Sequence, residues 1–179
     1  MNTQKYYSVG IDPGFKSLGL AILSKEINSE KIILVHSCTL NPFELGGIIP
    51  ALKEVCRIVE SKIPDHEQAM IYTGMERYVS YQNVNTAEAE NILMMIGALM
   101  VGLNYYNSAG TKMVRAIEWK TGLVKALFKW KKFTNPSDKL DKKFSVAAAN
   151  CLTDNAKHET NHESDAICIA ALPFVPGFK

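Results

Sequence analysis

A chain of 179 residues, 47% of them hydrophobic and 21% charged, can bury a core of its own and is too apolar for a disordered polyelectrolyte, so one compact domain over 1–179 is expected. Four scattered cysteines, Cys38, Cys56, Cys151 and Cys168, lack any CxxC spacing and sit in apolar stretches, which argues against a disulfide scaffold or a cysteine metal site and for free thiols in a reducing compartment. The net charge of +2 conceals an uneven distribution: from Lys120 to Lys143 there are eight lysines against Asp138 and Asp141, a basic segment on an otherwise acidic body.

In chain order, Tyr7–Asp12 and Ser17–Leu23 read as strands joined by the turn DPGFK, in which Pro13 fixes φ and Gly14 relieves it. Lys31–His36 reads as a third strand. Gly46–Lys62 places Ile48, Leu52, Val55 and Val59 at spacings of three and four, one face of a helix. Ala69–Met75 is a short strand ending at Glu76, and Thr86–Tyr105 a helix rich in Met, Leu, Ile and Ala. Its apolar run, Ile92 to Leu103, holds two glycines and falls short of the ~20 residues of a membrane span. The polar start MNTQKYYS is no secretory leader. A soluble cytoplasmic protein without a membrane partner is therefore expected.

Lys112–Ile117 reads as a fifth strand, followed by a helix from Trp119 to Trp130 with Trp119, Leu123, Leu127 and Trp130 on one face. Residues 131–140, with Asn135-Pro136-Ser137, read as a loop. Helices follow from Asp141 to Thr153 and from Thr160 to Leu172, where Pro173 stops the last helix; Thr160 and Glu163 fit a capping box. The order predicts an α/β domain whose mixed five-stranded sheet has three antiparallel strands, then two parallel ones, with helices on its faces. Its first, fourth and fifth strands run parallel, so Asp12 and Glu76 reach the same sheet edge.

Acids past the carboxyl ends of neighbouring strands line the crevice where open α/β sheets bind ligands. His162 and Asp165, three apart, project from one face of the last helix. If that face crosses the sheet edge, Asp12, Glu76, His162 and Asp165 converge, and carboxylates of this kind suit Mg²⁺ or Mn²⁺. Taken singly, each has a plainer reading. Asp12 would cap its own turn, Glu76 would pair with Arg77, His162 would be exposed, and Asp165 would complement a helix N-terminus. The combination weighs more, because Asp165 leads into the apolar run Ala166–Leu172, where a charge needs a partner.

Three motifs carry a family resemblance. Gly10-Ile11-Asp12-Pro13-Gly14 with Gly19 and Ala21, then Met75-Glu76-Arg77-Tyr78 with Asn83 and Gly97, then His162-Glu163-Ser164-Asp165-Ala166 resemble, in order, the motifs of RuvC-type Holliday junction resolvases. These belong to the ribonuclease H-like superfamily and include phage and viral members. The resemblance spans residues 7 to 172, and departs from bacterial members between Lys129 and Leu140, which is longer and richer in lysine.

The resemblance implies a divalent-metal-dependent endonuclease that resolves four-way DNA junctions with two Mg²⁺ or Mn²⁺ ions per site. Asp12, Glu76, His162 and Asp165 are its expected ligands, with His162 read either as ligand or as general base. Lys120, Lys125, Lys131, Lys132, Lys142 and Lys143 are expected on DNA, with Tyr78, Tyr81 or Phe133 either against exposed bases or, the commoner fate of such residues, in apolar packing. The two-fold symmetry of a junction calls for a homodimer, for which Met94, Met95, Leu99 and Met100 are the interface candidates, with burial in the monomer's own core as the equal alternative. Competing readings are a nuclease of the same fold acting on flaps, forks or structured RNA, an actin-like kinase or ATPase, and a non-catalytic nucleic-acid-binding module. The absence of a duplicated domain and of further phosphate-binding glycine loops weighs against the kinase.

Overall fold

The near-continuous apolar run Leu18–Leu23, beside Val9 and Ile11, suits a sheet buried on both faces. In the computed structural model, which describes residues 5–64, 66–67, 69–79, 86–106, 111–131, 133–136, 139–154 and 160–176, β1 (Lys5–Asp12), β2 (Leu18–Glu26) and β3 (Ile33–Leu40) form an antiparallel meander. Helix α1 (Ile48–Lys62) leads to β4 (Met70–Glu76), and α2 (Thr86–Asn104) to β5 (Thr111–Val114). Helices α3 (Ala116–Lys131), α4 (Lys142–Leu152) and α5 (Asn161–Ala171) complete the fold, followed by a short 3₁₀ turn, Leu172–Phe174. The strand order is β3-β2-β1-β4-β5, with β4 parallel to both β1 and β5, as the sequence pattern predicts.

The sheet separates two cores. Ala21 and Leu23 of β2 face α3, α4 and α5, whereas Leu20 and Ile22, one residue out of step, face α1 and α2 together with Val9 and Ile11 of β1. The α5 layer lies unusually close. A Cβ added to Gly10 of β1 would meet the Ala166 carbonyl oxygen at 2.1 Å, and one added to Gly19 of β2 would meet that of His162 at 2.0 Å. A side chain on Gly74 of β4 would strike Ile169. Three adjacent strands thus have no side chain where α5 crosses them, and its backbone rests directly on theirs.

Several boundaries differ from those expected. Gly46 and Gly47 have φ of 94° and 113°, outside the helical region, so α1 starts at Ile48. The fifth strand stops at Val114 rather than Ile117, because Arg115 caps a helix: its carbonyl accepts from the N–H groups of Glu118 and Trp119 at 3.0 and 3.1 Å. The Glu118 carboxylate reaches back to the Arg115 N–H at 3.4 Å, which advances α3 to Ala116. Strand β3 runs on past His36 to Leu40, paired with β2 to its end.

The expected interface residues divide. Met95 and Leu99 are each 1% exposed and pack in the domain's own core, whereas Met94 is 56% exposed and Met100 36%. By length and composition α2 could span a bilayer. It nonetheless carries Glu88 and Glu90 in its first turns and buries Met95, Ile96, Leu99 and Leu103 in the core beneath the sheet, the role of a domain layer.

Candidate active site

Register brings the first two acids together. Ile11 of β1 pairs with Met75 of β4, so Asp12 and Glu76, the next residues, leave adjacent parallel strands at the same level. Both line a cleft of about 180 Å³ with Pro13, Arg77, Tyr78, Val79 and Ala116. The close seat of α5 on Gly19, which itself pairs with Asp12, brings His162 alongside, and its Nδ1 lies 2.6 Å from Asp12 Oδ2. Asp165, one helical turn further, faces Lys120 of α3, whose Nζ stands 3.6 Å from Oδ1.

The start of α5 is itself anchored. The Thr160 hydroxyl accepts from the Glu163 N–H at 3.1 Å, as the capping box predicts. Thr39 of β3 holds the Thr160 hydroxyl at 2.5 Å, and Ser37 donates to the buried Glu163 carboxylate. Sequence reading missed Ser37 and Thr39, which sit beyond the expected end of β3. It also missed Trp119, taken as one residue of an apolar face: the indole Nε1 donates to Glu76 Oε2 at 2.8 Å. The available signal was chemical, since a buried indole N–H needs an acceptor.

The electrostatics are those of crowded acids. Burial, then the Asp12 charge, raises the Glu76 carboxyl from 4.5 to about 7, against the opposing pull of the Trp119 N–H and Lys120. Burial also raises Asp165, with Lys120 and a Ser145 hydrogen bond opposing. His162 is raised by its hydrogen bond to Asp12. Asp165 Oδ1 is buried and finds no hydrogen-bond partner among the described residues.

These donors fit a hard divalent cation: oxygen ligands, under-neutralised and with one orphaned atom, around a small cleft. In the state described, no three of the described His, Cys, Asp and Glu side chains are disposed around a single ion. Asp12, Asp165 and Glu76 are engaged separately, by His162, Lys120 and Trp119.

The basic residues fall into two groups. Lys120 is inside the site, its side chain 15% exposed and its ammonium 4.9 Å from the centre of the Trp119 ring. Lys142 and Lys143 are exposed on the first turn of α4, capped by Asp141, and Lys142 is near enough to His162 to oppose the rise in its pKa. Lys125 lies apart, in a groove of about 630 Å³ that begins at Val114 and Trp119 and includes Lys112 and Lys129. Lys131 lies over the Trp130 ring at 4.8 Å. Tyr78 borders the acidic cleft. Phe133 does not serve as a base-stacking group: it is 8% exposed and packs edge-on against Phe144. Tyr81, Asn83 and Lys132 lie outside the described residues.

No family model and no curated protein sequence matches the chain. Solved structures do. Thermus thermophilus RuvC in complex with a Holliday junction substrate matches with a TM-score of 0.67 at 16% identity, over 94% of this chain and 93% of that one. A second Thermus thermophilus RuvC structure gives 0.66 at 18% identity, with the same coverage of 94% and 93%. The chain has the ribonuclease H-like fold of RuvC. Within this RuvC-like frame, Asp12, Glu76, His162 and Asp165 all stand where the carboxyl ends of β1 and β4 open toward the start of α5. That is the position in an open α/β sheet at which side chains from separate strands can reach one ligand.

Proposed function

We propose that this protein is a divalent-metal-dependent endonuclease that cuts four-way DNA junctions. The observation that carries the reading is the meeting of Asp12, Glu76, His162 and Asp165, drawn from three elements, at one end of a sheet with the fold of RuvC. One of the matching RuvC structures is a complex with a Holliday junction substrate, which supports branched DNA as the substrate class.

Asp12, Glu76 and Asp165 would hold Mg²⁺ or Mn²⁺, with His162 as a further ligand or as the base that takes a proton from the attacking water. A bound pair of such ions supplies an activated water and stabilises the leaving oxygen of the phosphodiester. Asp12 is the central group, since it lies beside both Glu76 and His162. Lys120, held between Trp119 and Asp165, stands ready to meet a phosphate oxygen at the cleft. Lys142 and Lys143 near His162, and Lys125 and Lys129 in the separate groove along α3, would offer positive surface to the DNA backbone.

A junction has two-fold symmetry and needs two cuts, which a homodimer provides. The exposed face of α2, with Leu93, Met94, Met100 and Val101, is the apolar surface for that contact.

The test is Asp12→Asn, assayed on synthetic four-way junctions, flaps, single strands and RNA with Mg²⁺ or Mn²⁺. The wild type should cut junctions preferentially, and the variant should bind them but leave them intact. Undiminished cleavage by the variant removes Asp12 from the site. Preferential cutting of flaps or RNA replaces the junction by that substrate.

A further inference from the structure

We propose that Trp119 is a positioning residue for Glu76: its indole N–H holds one carboxylate oxygen and so fixes the direction in which the carboxylate presents the other. The inference rests on the metal-nuclease reading above. Three observations carry it.

The first is the bond itself, 2.8 Å from Nε1 to Oε2, between two side chains 43 residues apart. The second is the rigidity of the donor. Trp119 is 0% exposed, its ring packs on Phe144 with centroids 6.4 Å apart, and the Lys120 ammonium covers it at 4.9 Å. The Arg115 cap sets the first turn of α3 and therefore the height of the indole beside the end of β4. The third is the need for such a donor. Glu76 has three rotatable side-chain bonds and shares its cleft with Asp12, which leaves the adjacent parallel strand at the same level. Repulsion alone would turn its carboxylate away from the other acids. An N–H donor on one oxygen leaves the other for a ligand and favours the ionised carboxylate.

This accounts for a tryptophan where packing alone would accept phenylalanine or leucine. A fully buried indole is tolerated when its N–H has a partner, and here the partner is an acid of the site. Groups of this kind orient ligands without touching the metal, and their loss typically lowers metal affinity by about 10–100-fold.

The experiment replaces Trp119 by benzothienylalanine, which keeps the bicyclic outline and exchanges N–H for sulfur, beside Trp119→Phe as the encoded counterpart. Mn²⁺ is titrated calorimetrically into each protein without DNA, and melting temperature and junction affinity in EDTA are measured in parallel. The expected result for the isostere is a Mn²⁺ affinity about tenfold weaker, with melting and junction affinity close to wild type. The Mn²⁺ concentration for half-maximal cleavage should rise by the same factor. Wild-type Mn²⁺ affinity in the isostere overturns the inference and leaves the metal reading intact. A wild-type protein that takes up no Mn²⁺ overturns both. The isostere decides the matter even if Trp119→Phe unfolds.

Discussion

Replacing Glu76 by Gln separates what the acidic cluster costs the fold from what it does for the reaction. The carboxyl is raised from 4.5 to about 7, by burial first and the Asp12 charge second. At about 1.4 kcal/mol for each unit, ionising Glu76 in the folded protein costs up to about 3 kcal/mol more than in the unfolded chain. The sign follows from which state keeps its proton longer. Between about pH 4.5 and pH 7 the native state binds more protons than the unfolded one, so stability drains as pH rises through that window. Glutamine does not ionise, and its carbonyl oxygen still accepts from the Trp119 indole. Glu76→Gln should therefore match wild type near pH 4.5 and exceed it by about 1–3 kcal/mol near pH 8, in EDTA. Urea unfolding at the two pH values reads this directly. His162 and Asp165, also raised, add to the pH slope of both proteins, and only their coupling to Glu76 enters the difference. Mg²⁺ should stabilise the wild type near pH 8 and the variant much less. A variant no more stable than wild type near pH 8, or more stable by the same amount at both pH values, refutes the reasoning.

Gly10→Ala places a methyl group 2.1 Å from the Ala166 carbonyl oxygen; the resulting strain of about 1–3 kcal/mol should lower the melting temperature by several degrees and reduce cleavage. Gly97→Ala, with nothing within 4 Å of the new Cβ, should instead raise the melting temperature through the gain of about 0.5–1 kcal/mol of helix stability; a fall would show that Gly97 is already covered. Lys142→Ala with Lys143→Ala should weaken junction binding in EDTA and flatten its log–log salt slope by about 2, and an unchanged slope removes both residues from the DNA interface. Met94→Glu with Val101→Glu should convert a dimer to monomers in light scattering while leaving circular dichroism unchanged; a wild type that is monomeric at micromolar concentration refutes the α2 interface.

Much of the fold was legible because its signals are local. The Pro13-Gly14 turn, the three-and-four spacing in α1 and the Thr160 cap each depend on a few neighbouring residues, and the strand order followed from the sequence of elements. The misplaced boundaries have equally local causes that hydrophobic patterning does not weigh. Ala116 and Ile117 continue the alternation of β5, yet the Arg115–Glu118 cap assigns them to a helix. The positive φ of Gly46 and Gly47 was likewise invisible to helical periodicity. In α2, apolar residues occur on every side, so the pattern could not say that Met95 and Leu99 belong to the core and Met94 and Val101 to the surface.

The candidate site was legible in its acids and not in what surrounds them, and the reason is electrostatic. Strand ends and a helical spacing of three placed Asp12, Glu76, His162 and Asp165 in one region without any knowledge of contacts. Their partners depend on how α3 and α5 lie against the sheet. Like charges brought together by burial must each be paired, hydrogen-bonded or protonated in every state the protein occupies. In the state described, the chain does this with its own groups: the His162 imidazole at Asp12, the Lys120 ammonium near Asp165 and the Trp119 indole at Glu76. Lys120 and Trp119, consecutive in α3, therefore belong to the site as fully as the acids do, although one read as part of a basic surface and the other as core.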